Sequence, residues 1–460
     1  MRMKIIKNIK FNALVVLLFV SINACNLTET NIDPASIAQD QVTQLSLVLP
    51  SAEAHMAFNS GALAARNPGI VVQYFIGLEA QQQQYSQYLI PRNAMDNLWV
   101  FGMYGGGMKD LNFIIESTSG ENAINAPYYS GIAKIYMAEA LGMLTLMFGD
   151  IPYSEAFQGD DGNITPVYDT QEEILQSIQT LLDEAITELS TDVEGDIEPG
   201  ADEVVFNGDP DKWIATAYSL KARYHLTNGD FTSASAALAN SIKSNAGSAL
   251  YPFDASLTSG NPLYSFGDFE RPGTMGAHPT FVSKMSSDPR QPLNLPGGSF
   301  VNGFWTSQSS PLPIITYAEV KFMEAEIEAQ QGGDATELVK EAVRANMEFM
   351  GVPEEDIIVY NLGISNPSLS QLMNEKYKAV YPNSMVSWSD YRRTGFPALT
   401  PPSNASSDFY RGSVDDIPER FIYPESEFLY NVENMNAASE RQGFLDGDQE
   451  VLNAVLPVFE

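Results

Sequence analysis

The stretch NEKYKAVYPNSMVSWSDYRRTGFP, residues 374–397, decides the fold of this chain. Aromatic and aliphatic side chains recur along it at the spacing of a helix face, and a Trp-x-x-Tyr-Arg-Arg sequence begins at Trp388. Gly395 and Pro397 follow, and glycine just past the last helical residue with proline beyond it is typical of a helix end. The stretch therefore predicts an aromatic-rich helix that stops at Gly395.

A second stretch, IPERFIYPESEFLYNVEN, follows at residues 417–434. It repeats the mixture of aromatic, proline and arginine residues. Proline removes a backbone donor and disfavours helix for the residue before it. Pro418 and Pro424, together with Arg420 and Tyr423, therefore predict a loop that folds back rather than another helix.

Upstream, the sequence predicts helices in pairs. Thr170 with Glu173 has the pattern of a capping box, and Asp209 followed by Pro210 is a typical helix start. The second of these helices should break at Asn228-Gly229. A partner helix should start at Asp230 and run to about Lys243. Antiparallel helices joined by such short breaks resemble tetratricopeptide units.

The same pattern returns later in the chain. Thr316 with Glu319 predicts another helix start, a Gly-Gly pair at 332–333 predicts its end, and Asp334 with Glu337 predicts the start of its partner. The segment at residues 251–313 lies between the two predicted sets of helices. It is rich in Pro, Gly, Ser and aromatic residues and has no helical period. An irregular segment of that length in a compact protein is usually functional or disordered, and its aromatic content argues against disorder.

Two further segments predict helices that contact the rest of the core. Residues 128–148 are apolar on nearly every face, which predicts a buried helix. Residues 98–116 predict a helix that continues through Gly105, Gly106 and Gly107. No strand precedes these glycines, so they do not form a nucleotide-binding loop, and a kink or a close helix contact is the better explanation.

Several segments taken in order resemble one family. The stretch at 374–397 and its echo at 417–434 look like the C-terminal half of the SusD/RagB nutrient-binding outer-membrane lipoproteins of the Bacteroidetes, and the second SusD-like branch is the most similar. Four more segments match in the same order: Gln73-Tyr74-Phe75 through Trp99 and Tyr104, Gly149-Asp150-Ile151-Pro152-Tyr153-Ser154-Glu155-Ala156, Lys212-Trp213 through Ser219-Leu220-Lys221-Ala222-Arg223, and Tyr317-Ala318-Glu319-Val320-Lys321-Phe322.

This resemblance implies an all-α, SusD-like fold of tetratricopeptide-like helix pairs with irregular, loop-rich insertions. It also implies a single domain over residues 25–460, with helix pairs at about 126–244 and 316–350 and a loop-rich insertion at about 251–313. Residues common to a family with many ligands are expected to serve the architecture. We therefore expect core packing and buried ion pairing from Trp388, Tyr391, Arg392 and Arg393.

The N-terminus indicates export. Four basic residues within the first ten precede FNALVVLLFVSI at 11–22, a segment of the length of a secretory signal and too short to span a bilayer. Cys25 is the only cysteine in the chain, so it forms no intramolecular disulfide. Its position predicts a lipoprotein signal peptide over residues 1–24 and lipidation at Cys25, while a plain secretory signal with an incidental thiol is the alternative.

The charge of the chain bears on its partners. The formal net charge is −33, and removing residues 1–24, which hold four basic residues and no acidic one, brings it to −37. A body of this charge repels phosphate backbones, so a nucleic acid is not expected as a partner.

Two segments carry the candidate ligand contacts. Residues 71–88 mix aromatic rings with four consecutive glutamines, and a polyhydroxylated or peptide ligand is bound by flat apolar faces beside amide donors and acceptors. The irregular segment at 251–313 supplies the second half of the proposed site. For any single aromatic residue, packing in the core is an equally good explanation. The candidate ligand-binding residues are Tyr85, Tyr88, Trp99, Tyr264, Phe304 and Trp305.

Chemistry for catalysis or metal binding is not indicated. His55, His225 and His278 lie far apart in the sequence and lack the spacing of metal ligands. Asp160, Asp161 and Asn163 are the only pattern that suggests calcium, and their spacing differs from that of an EF-hand. We therefore expect no catalytic residue, no metal site and no cofactor. A carboxylate pair for glycoside hydrolysis stays open, because its diagnostic is a distance in space.

Three hypotheses follow. The resemblance implies a surface-exposed, lipid-anchored outer-membrane protein that captures an oligosaccharide or peptide and hands it to a SusC-like TonB-dependent transporter. The first alternative is a helical glycosidase or lyase that acts on surface glycans. The second is a repeat scaffold without a small ligand, for which no aromatic-lined pocket would be expected.

Overall fold

The computed structural model describes residues 44–121, 123–192, 197–256, 258–408, 416–446 and 449–459. The predicted signal peptide over residues 1–24, the lipidation site at Cys25 and the predicted domain boundary at residue 25 lie outside this part of the chain. Within the described residues, Ser46 onward forms one compact unit.

The described residues are mainly helical, with a few short strands. The helices of the first half are α1 (Leu45–Gly61), α2 (Leu63–Val71), α3 (Ala80–Tyr85), a π-helix (Asn97–Gly107), α4 (Met108–Ser117), α5 (Pro127–Phe148), α6 (Gln171–Leu189), α7 (Pro210–Thr227) and α8 (Phe231–Leu238). Those of the second half are α9 (Pro262–Tyr264), a second π-helix (Ser265–Glu270), α10 (Pro279–Lys284), α11 (Gln291–Asn294), α12 (Tyr317–Gln330), α13 (Thr336–Phe349), α14 (Glu354–Leu362), α15 (Leu369–Ala379), α16 (Ser384–Thr394), α17 (Glu425–Tyr430) and α18 (Val432–Arg441). The strands are β1 (Phe75–Gly77), β2 (Ala249–Tyr251), β3 (Met275–Ala277), β4 (Leu312–Ile315), β5 (Leu445–Asp446) and β6 (Gln449–Glu450).

Helix α5 is the buried helix that the sequence predicts at 128–148. Nearly every one of its side chains is buried, and it ends at Phe148, directly before Gly149, which has a φ of 87°. Among the described residues it is the one helix long and apolar enough to cross a membrane, and 94% of its most apolar window is buried inside the fold. The helix is therefore the core helix of this fold, and its composition reflects burial on all sides.

The predicted helix pairs are confirmed. Helix α6 begins with a reciprocal capping box between Thr170 and Glu173, and α7 begins at Pro210 behind an Asp209 cap. Helix α5 packs on α6, α6 on α7, α7 on α8, and α12 on α13. Two boundaries differ from the predictions. Helix α8 ends at Leu238 rather than near residue 243, and Asp334 accepts from the backbone N–H of Thr336 without a Glu337 box.

The loop-rich segment at 251–313 is bounded by a β-pair. Strands β2 and β4 run antiparallel, with Ala249 opposite Ile315, so the two ends of the insertion lie side by side. Inside it the chain forms short helices and turns rather than disorder. Strand β3, within the insertion, pairs with β1 from the start of the chain. That second pair positions the candidate site.

The glycines at residues 105–107 lie at a kink, as the sequence predicts. The π-helix and α4 cover residues 97–117, and Gly106 has non-helical angles of φ −124° and ψ −107°. A Cβ atom at Gly107 would lie 3.1 Å from the sulfur of Met56 on α1. The glycines therefore allow both a kink and a close helix contact.

Helix α16, which lies in the first stretch at residues 374–397, contacts the second stretch at residues 417–434. It ends at Thr394, and Gly395 adopts the predicted left-handed conformation with a φ of 74°. The indole Nε1–H of Trp388 donates to the carbonyl oxygen of Pro418 at 2.9 Å. Arg392 stacks on the ring of Trp388 at 4.1 Å, and its Nη1 donates to the carbonyl oxygen of Glu419 at 2.8 Å. Trp388 and Arg392 thus hold the second stretch against the first.

Arg393 completes the predicted buried pairing. Its guanidinium binds Glu326 at 2.6 Å and Asp390 at 2.7 Å, and the Nζ of Lys376 also contacts Asp390, at 2.9 Å. Tyr391, which the sequence assigns to the core, is half-buried. The architectural role of these arginines follows from these contacts.

The echo stretch is part loop and part helix. Residues 416–424 are irregular, as the prolines predict. The prediction that no helix follows is wrong, because α17 begins at Glu425, directly after Pro424. Proline before the first helical residue fits a helix start as well as a loop, and the acidic residues Glu425 and Glu427 in the first turn favour the helix through its dipole.

Candidate functional site

The β1–β3 pair brings two distant parts of the chain together. Phe75 lies opposite Ala277 and Gly77 opposite Met275 in an antiparallel register. Only glycine fits at the end of β1, because a Cβ atom at Gly77 would lie 1.8 Å from the carbonyl oxygen of Gln82. The strand is therefore pressed against α3, and the backbone N–H of Gly77 donates to the Oγ of Ser86 at 2.5 Å.

A cavity of about 300 Å³, which we call the amide cavity, opens beside this strand pair. A third part of the chain, residues 402–404, closes it. Several of its lining residues carry amide groups, and the others are mostly aliphatic. The lining consists of Ile70, Gln73, Ile76, Gly77, Leu78, Gln83, Ser86, Gln87, Tyr88, His278, Pro402 and Asn404.

The amide side chains divide into one that holds the walls and three that are free to bind. Gln73 donates from Nε2 to the carbonyl oxygen of Thr400 at 2.6 Å and accepts from the Oγ1 of Thr280 at 2.8 Å. The side-chain amides of Gln83, Gln87 and Asn404 have no hydrogen-bond partner within the described residues. Each free amide offers two donor hydrogens and an acceptor oxygen, which suits hydroxyl groups of a ligand.

His278 adds a neutral donor to the cavity. Its Nδ1 accepts from the backbone N–H of Thr280 at 3.1 Å, so the proton of the neutral ring is assigned to Nε2. Burial lowers the pKa of His278 to about 4. The imidazole is therefore uncharged at neutral pH, and it fits hydrogen bonding to a ligand better than proton transfer.

The backbone around the cavity is strained. Gln73, Ala80 and Tyr88 have φ angles of 63°, 50° and 57°, in the left-handed region that residues with a Cβ atom seldom adopt. Such angles cost of order 1–3 kcal/mol each and persist where the surroundings impose them, which is common at ligand-binding sites. Two of these three residues, Gln73 and Tyr88, line the cavity.

The six candidate aromatic residues lie in different surroundings. Tyr85, Tyr88, Trp99 and Trp305 are only 2%, 1%, 2% and 2% exposed, so their ring faces are covered by the protein. Tyr88 lines the amide cavity, and Tyr85 lies on α3 next to it, where its hydroxyl contacts Gln81. Tyr264 and Phe304 are half-buried and are the more accessible of the six.

Trp99 and Trp305 belong to separate interior clusters. The indole Nε1–H of Trp99 donates to Glu427 at 3.0 Å, and its ring meets Phe148 edge-on at a centroid distance of 5.1 Å. Trp305 stacks on Phe349 at 5.5 Å, and the half-buried Phe304 meets Trp305 at 5.0 Å. Hydrophobic burial explains these positions, and stacking on a ligand would require the core to open.

Sequence reasoning found the early segment but missed most of the groups that line the cavity. The glutamine run at 81–84 indicated this segment, and Gln83 from that run lines the cavity. His278 and Asn404 were missed, because only the strand pairing and the return of the chain at 402–404 bring them to residue 83. No sequence pattern marks those contacts.

A second cavity of about 80 Å³ lies between the helix pairs. Its charged lining side chains are paired with one another. Arg223 binds Glu319 at 2.7 Å and Glu139 at 3.2 Å, and Tyr224 donates to Glu139 at 3.0 Å. Since these charges are mutually satisfied, the cavity is part of the core architecture.

Within the described residues, no group of three or more His, Cys, Asp or Glu side chains is placed to hold a metal ion. Near the calcium pattern at 160–163, Asn163 donates from Nδ2 to Glu155 at 3.2 Å. Calcium binding there stays an untested hypothesis.

Comparison with known proteins gives one family match. The SusD-like_2 model, described as "Starch-binding associating with outer membrane", matches residues 37–302 and 298–424. No curated protein matches the chain.

Solved structures show a related fold. A SusD/RagB family protein from Bacteroides thetaiotaomicron VPI-5482 is 22% identical with a TM-score of 0.75, over 92% of this chain and 99% of that one. A chitin-binding protein is 23% identical with a TM-score of 0.73, over 90% and 99%. A SusD homologue from Bacteroides fragilis NCTC 9343 is 22% identical with a TM-score of 0.70, over 89% and 100%. The helix pairs and the irregular insertions are thus a shared architecture.

Proposed function

This chain belongs to the SusD-like family, described as starch-binding and associated with the outer membrane, and from that membership we propose that it binds an oligosaccharide without cleaving it. The amide cavity carries the proposal. Three amides with no partner among the described residues, a neutral imidazole and aliphatic walls of Ile70, Ile76 and Leu78 match the alternating polar and apolar surface of a sugar.

The composition of the cavity supports binding over catalysis. Among its described lining residues there is no Asp or Glu, whereas glycoside hydrolysis uses a pair of carboxyl groups. The carboxylates of the second cavity, Glu139 and Glu319, are held by Arg223. A glycosidase is therefore not the function that this geometry favours.

The binding proposal has a direct test. The chain without residues 1–25 would be titrated with malto- and chito-oligosaccharides by calorimetry, since one similar structure is described as chitin-binding. We expect a triple variant, Gln83→Ala, Gln87→Ala and Asn404→Ala, to bind at least about tenfold more weakly, from the loss of several hydrogen bonds. Gln84→Ala, on the exposed side of α3, is the matched control.

The outcome that rejects this site is also clear. Equal affinity of the triple variant and the wild type for every oligosaccharide would remove the amide cavity from the binding surface. Release of shorter sugars from a purified, glycan-saturated sample would reject the non-catalytic part of the proposal, and binding of peptides alone would redirect it to peptide nutrients.

We extend the proposal to location and partner. The chain would be anchored through lipid on Cys25, exposed at the cell surface, and would deliver its ligand to a SusC-like TonB-dependent transporter. Family membership and the N-terminal sequence pattern support this arrangement. Cys25→Ala is expected to release the protein from membranes, and cross-linking in whole cells is expected to recover a TonB-dependent barrel with it. Unchanged membrane attachment of Cys25→Ala would contradict the anchor.

A further inference from the structure

Arg66 has no counter-ion in the part of the chain that the structure describes. It lies on α2, and its guanidinium carbon is 3.8 Å from the ring centroid of Phe266. Its Nε atom is buried with no hydrogen-bond partner. Within the described residues, no carboxylate lies within 4.0 Å of the guanidinium and no hydrogen bond involves it.

Every other buried or half-buried arginine that the structure describes has polar partners. Arg392 donates from Nη1 to the backbone carbonyl oxygens of Leu146 at 2.7 Å and Glu419 at 2.8 Å, while its buried Nη2 has no partner among the described residues. The others form ion pairs: Arg92 and Arg420 with Glu450, Arg223 with Glu139 and Glu319, Arg290 with Asp288 and Glu375, Arg344 with Glu348 and Glu354, and Arg393 with Glu326 and Asp390. In a chain with 58 acidic and 25 basic residues, an unpaired guanidinium is unexpected.

The electrostatics of the site indicate that the cation lacks compensation. Burial lowers the pKa of Arg66 to about 10, and the nearby Glu270 and Tyr85 offset that effect only in part. Glu270 is exposed and lies beyond ion-pair distance. A guanidinium removed from water and given only an aromatic face is stabilised when an anion binds its open edge.

Arg66 lies beside the amide cavity. It precedes Ile70, a cavity-lining residue, by one turn of α2, so the two side chains lie on the same face of that helix. On its other side is Phe266, whose π-helix also carries Phe269, a ring that is 62% exposed. The cation, an exposed ring and the amide cavity thus occupy neighbouring elements.

We propose that Arg66, stacked on Phe266, is an anion subsite that selects an oligosaccharide carrying a carboxylate or a sulfate group. The inference rests on the proposed oligosaccharide-binding function and names the class of sugar. The planar guanidinium would bind the anion through two parallel N–H donors, while the uncharged part of the sugar contacts the amide cavity.

The negative charge of the whole chain opposes the binding of an acidic ligand. A body of net charge −33 repels anions at long range, but salt screens this repulsion beyond about 8 Å at physiological ionic strength. Contact with an unpaired, partly desolvated cation acts inside that distance. The binding of an acidic sugar therefore depends on the local pairing with Arg66.

The test compares acidic and neutral probes of equal length. Calorimetry would use tetragalacturonate for carboxylate, a sulfated chondroitin tetrasaccharide for sulfate, and chitotetraose and maltotetraose as neutral probes. We expect Arg66→Gln to weaken binding of an acidic probe at least about tenfold and to leave the neutral probes unchanged. Arg271→Gln removes the same charge from an exposed position in the next segment and is the matched control.

Further variants keep the test decisive if Arg66→Gln folds poorly. Arg66→Lys keeps the positive charge but loses the two parallel N–H donors of the guanidinium, so acidic probes should bind with intermediate affinity. Glu270→Gln keeps Arg66 intact and should strengthen acidic binding several-fold. Acidic binding that is equal in wild type and in Arg66→Gln, or absent from the wild type while neutral sugars bind, overturns the inference and leaves the proposed function intact. A wild type that binds neither acidic nor neutral sugars defeats both.

Discussion

The side chain of Gln73 donates from Nε2 to the carbonyl oxygen of Thr400 at 2.6 Å, across 327 positions of the chain. The same amide accepts from Thr280, so one side chain joins three walls of the amide cavity. Gln73 holds this position with a φ of 63°. The cavity is therefore assembled around a strained residue whose role is to position the walls.

Gln73→Ala is expected to loosen the cavity. It removes two hydrogen bonds worth about 0.5–1.5 kcal/mol each, which predicts a loss of about 1–3 kcal/mol in the free energy of unfolding. Ligand affinity should also fall, because residues 400–404 lose the hydrogen bond from Gln73 that holds them in place. Urea unfolding and calorimetry check both, and Gln84→Ala serves as the control. An unaltered affinity would show that the walls hold without Gln73.

Gly77→Ala is expected to separate β1 from α3. The added Cβ atom would meet the backbone of Gln82 at 1.8 Å, and backbone cannot move aside as a flexible side chain can. Overpacking of this kind typically costs about 1–3 kcal/mol, and the cavity wall would shift with it. Gly159→Ala, at a glycine with open space around it, should be nearly neutral. Thermal unfolding of the two variants compares them, and equal melting temperatures would contradict the crowding.

His278 predicts a specific response to acid. The folded state holds the pKa of this ring at about 4, against 6.5 for an ordinary histidine. Between these values the unfolded chain binds more protons, so stability is full above pH 6.5 and decreases as pH falls towards 4. His278→Asn keeps an acceptor at the start of α10 and should reduce this dependence. Unfolding free energies of both proteins at pH 7 and pH 5 measure the difference, and parallel losses would exclude the ring as the cause.

Glu53 predicts the opposite trend with pH. Its buried carboxyl group has a pKa well above the usual value, chiefly because of burial and secondly because of the charge of Glu203. The stability that the protonated form contributes is present at low pH and is lost as pH rises through the raised pKa, at about 1.4 kcal/mol per pH unit. Glu53→Gln should therefore be the more stable protein at pH 8, with exposed Glu121→Gln as the control. Melting temperatures at pH 5 and pH 8 decide this, and a less stable Glu53→Gln at pH 8 would contradict it.

Glu326→Gln is expected to be among the most destabilising single changes. Glu326 is fully buried and pairs with Arg393 at 2.6 Å and Lys376 at 3.3 Å, so its loss leaves these two buried cations with a single carboxylate partner, Asp390. Breaking such a pair costs about 3–5 kcal/mol. Glu348→Gln, which removes a surface partner of Arg344, should cost less than about 1 kcal/mol. Urea unfolding compares the two, and similar costs would be evidence against the buried network.

The sequence predicts the repeated helices well because local chemistry sets their ends. Thr170, Asp209 and Gly395 act through backbone atoms a few residues away, and the structure confirms all three ends. The helix after Pro424 was missed for a related reason. Proline at a helix start and proline in a loop look alike until the following acidic turn is considered.

The site was less predictable because it depends on contacts between distant segments. An aromatic residue such as Trp99 has the same local pattern whether its ring stacks on a ligand or on Phe148. Its 2% exposure is decided by how α5 and α17 meet around it. No sequence pattern pointed to Arg66. What distinguishes this residue is that its guanidinium lacks a hydrogen-bond or ion-pair partner among the described residues, and only the structure shows that.

The amide cavity takes its walls from residues 70–88, from His278 and from residues 402–404. Because a chain is synthesised from its N-terminus, the residues of the first wall are made long before those of the last. Closing loops between such distant segments is slow, so binding competence should be gained at the end of folding rather than gradually. An incompletely folded molecule would thus be unable to retain a sugar, and sugar retention would report that folding is complete.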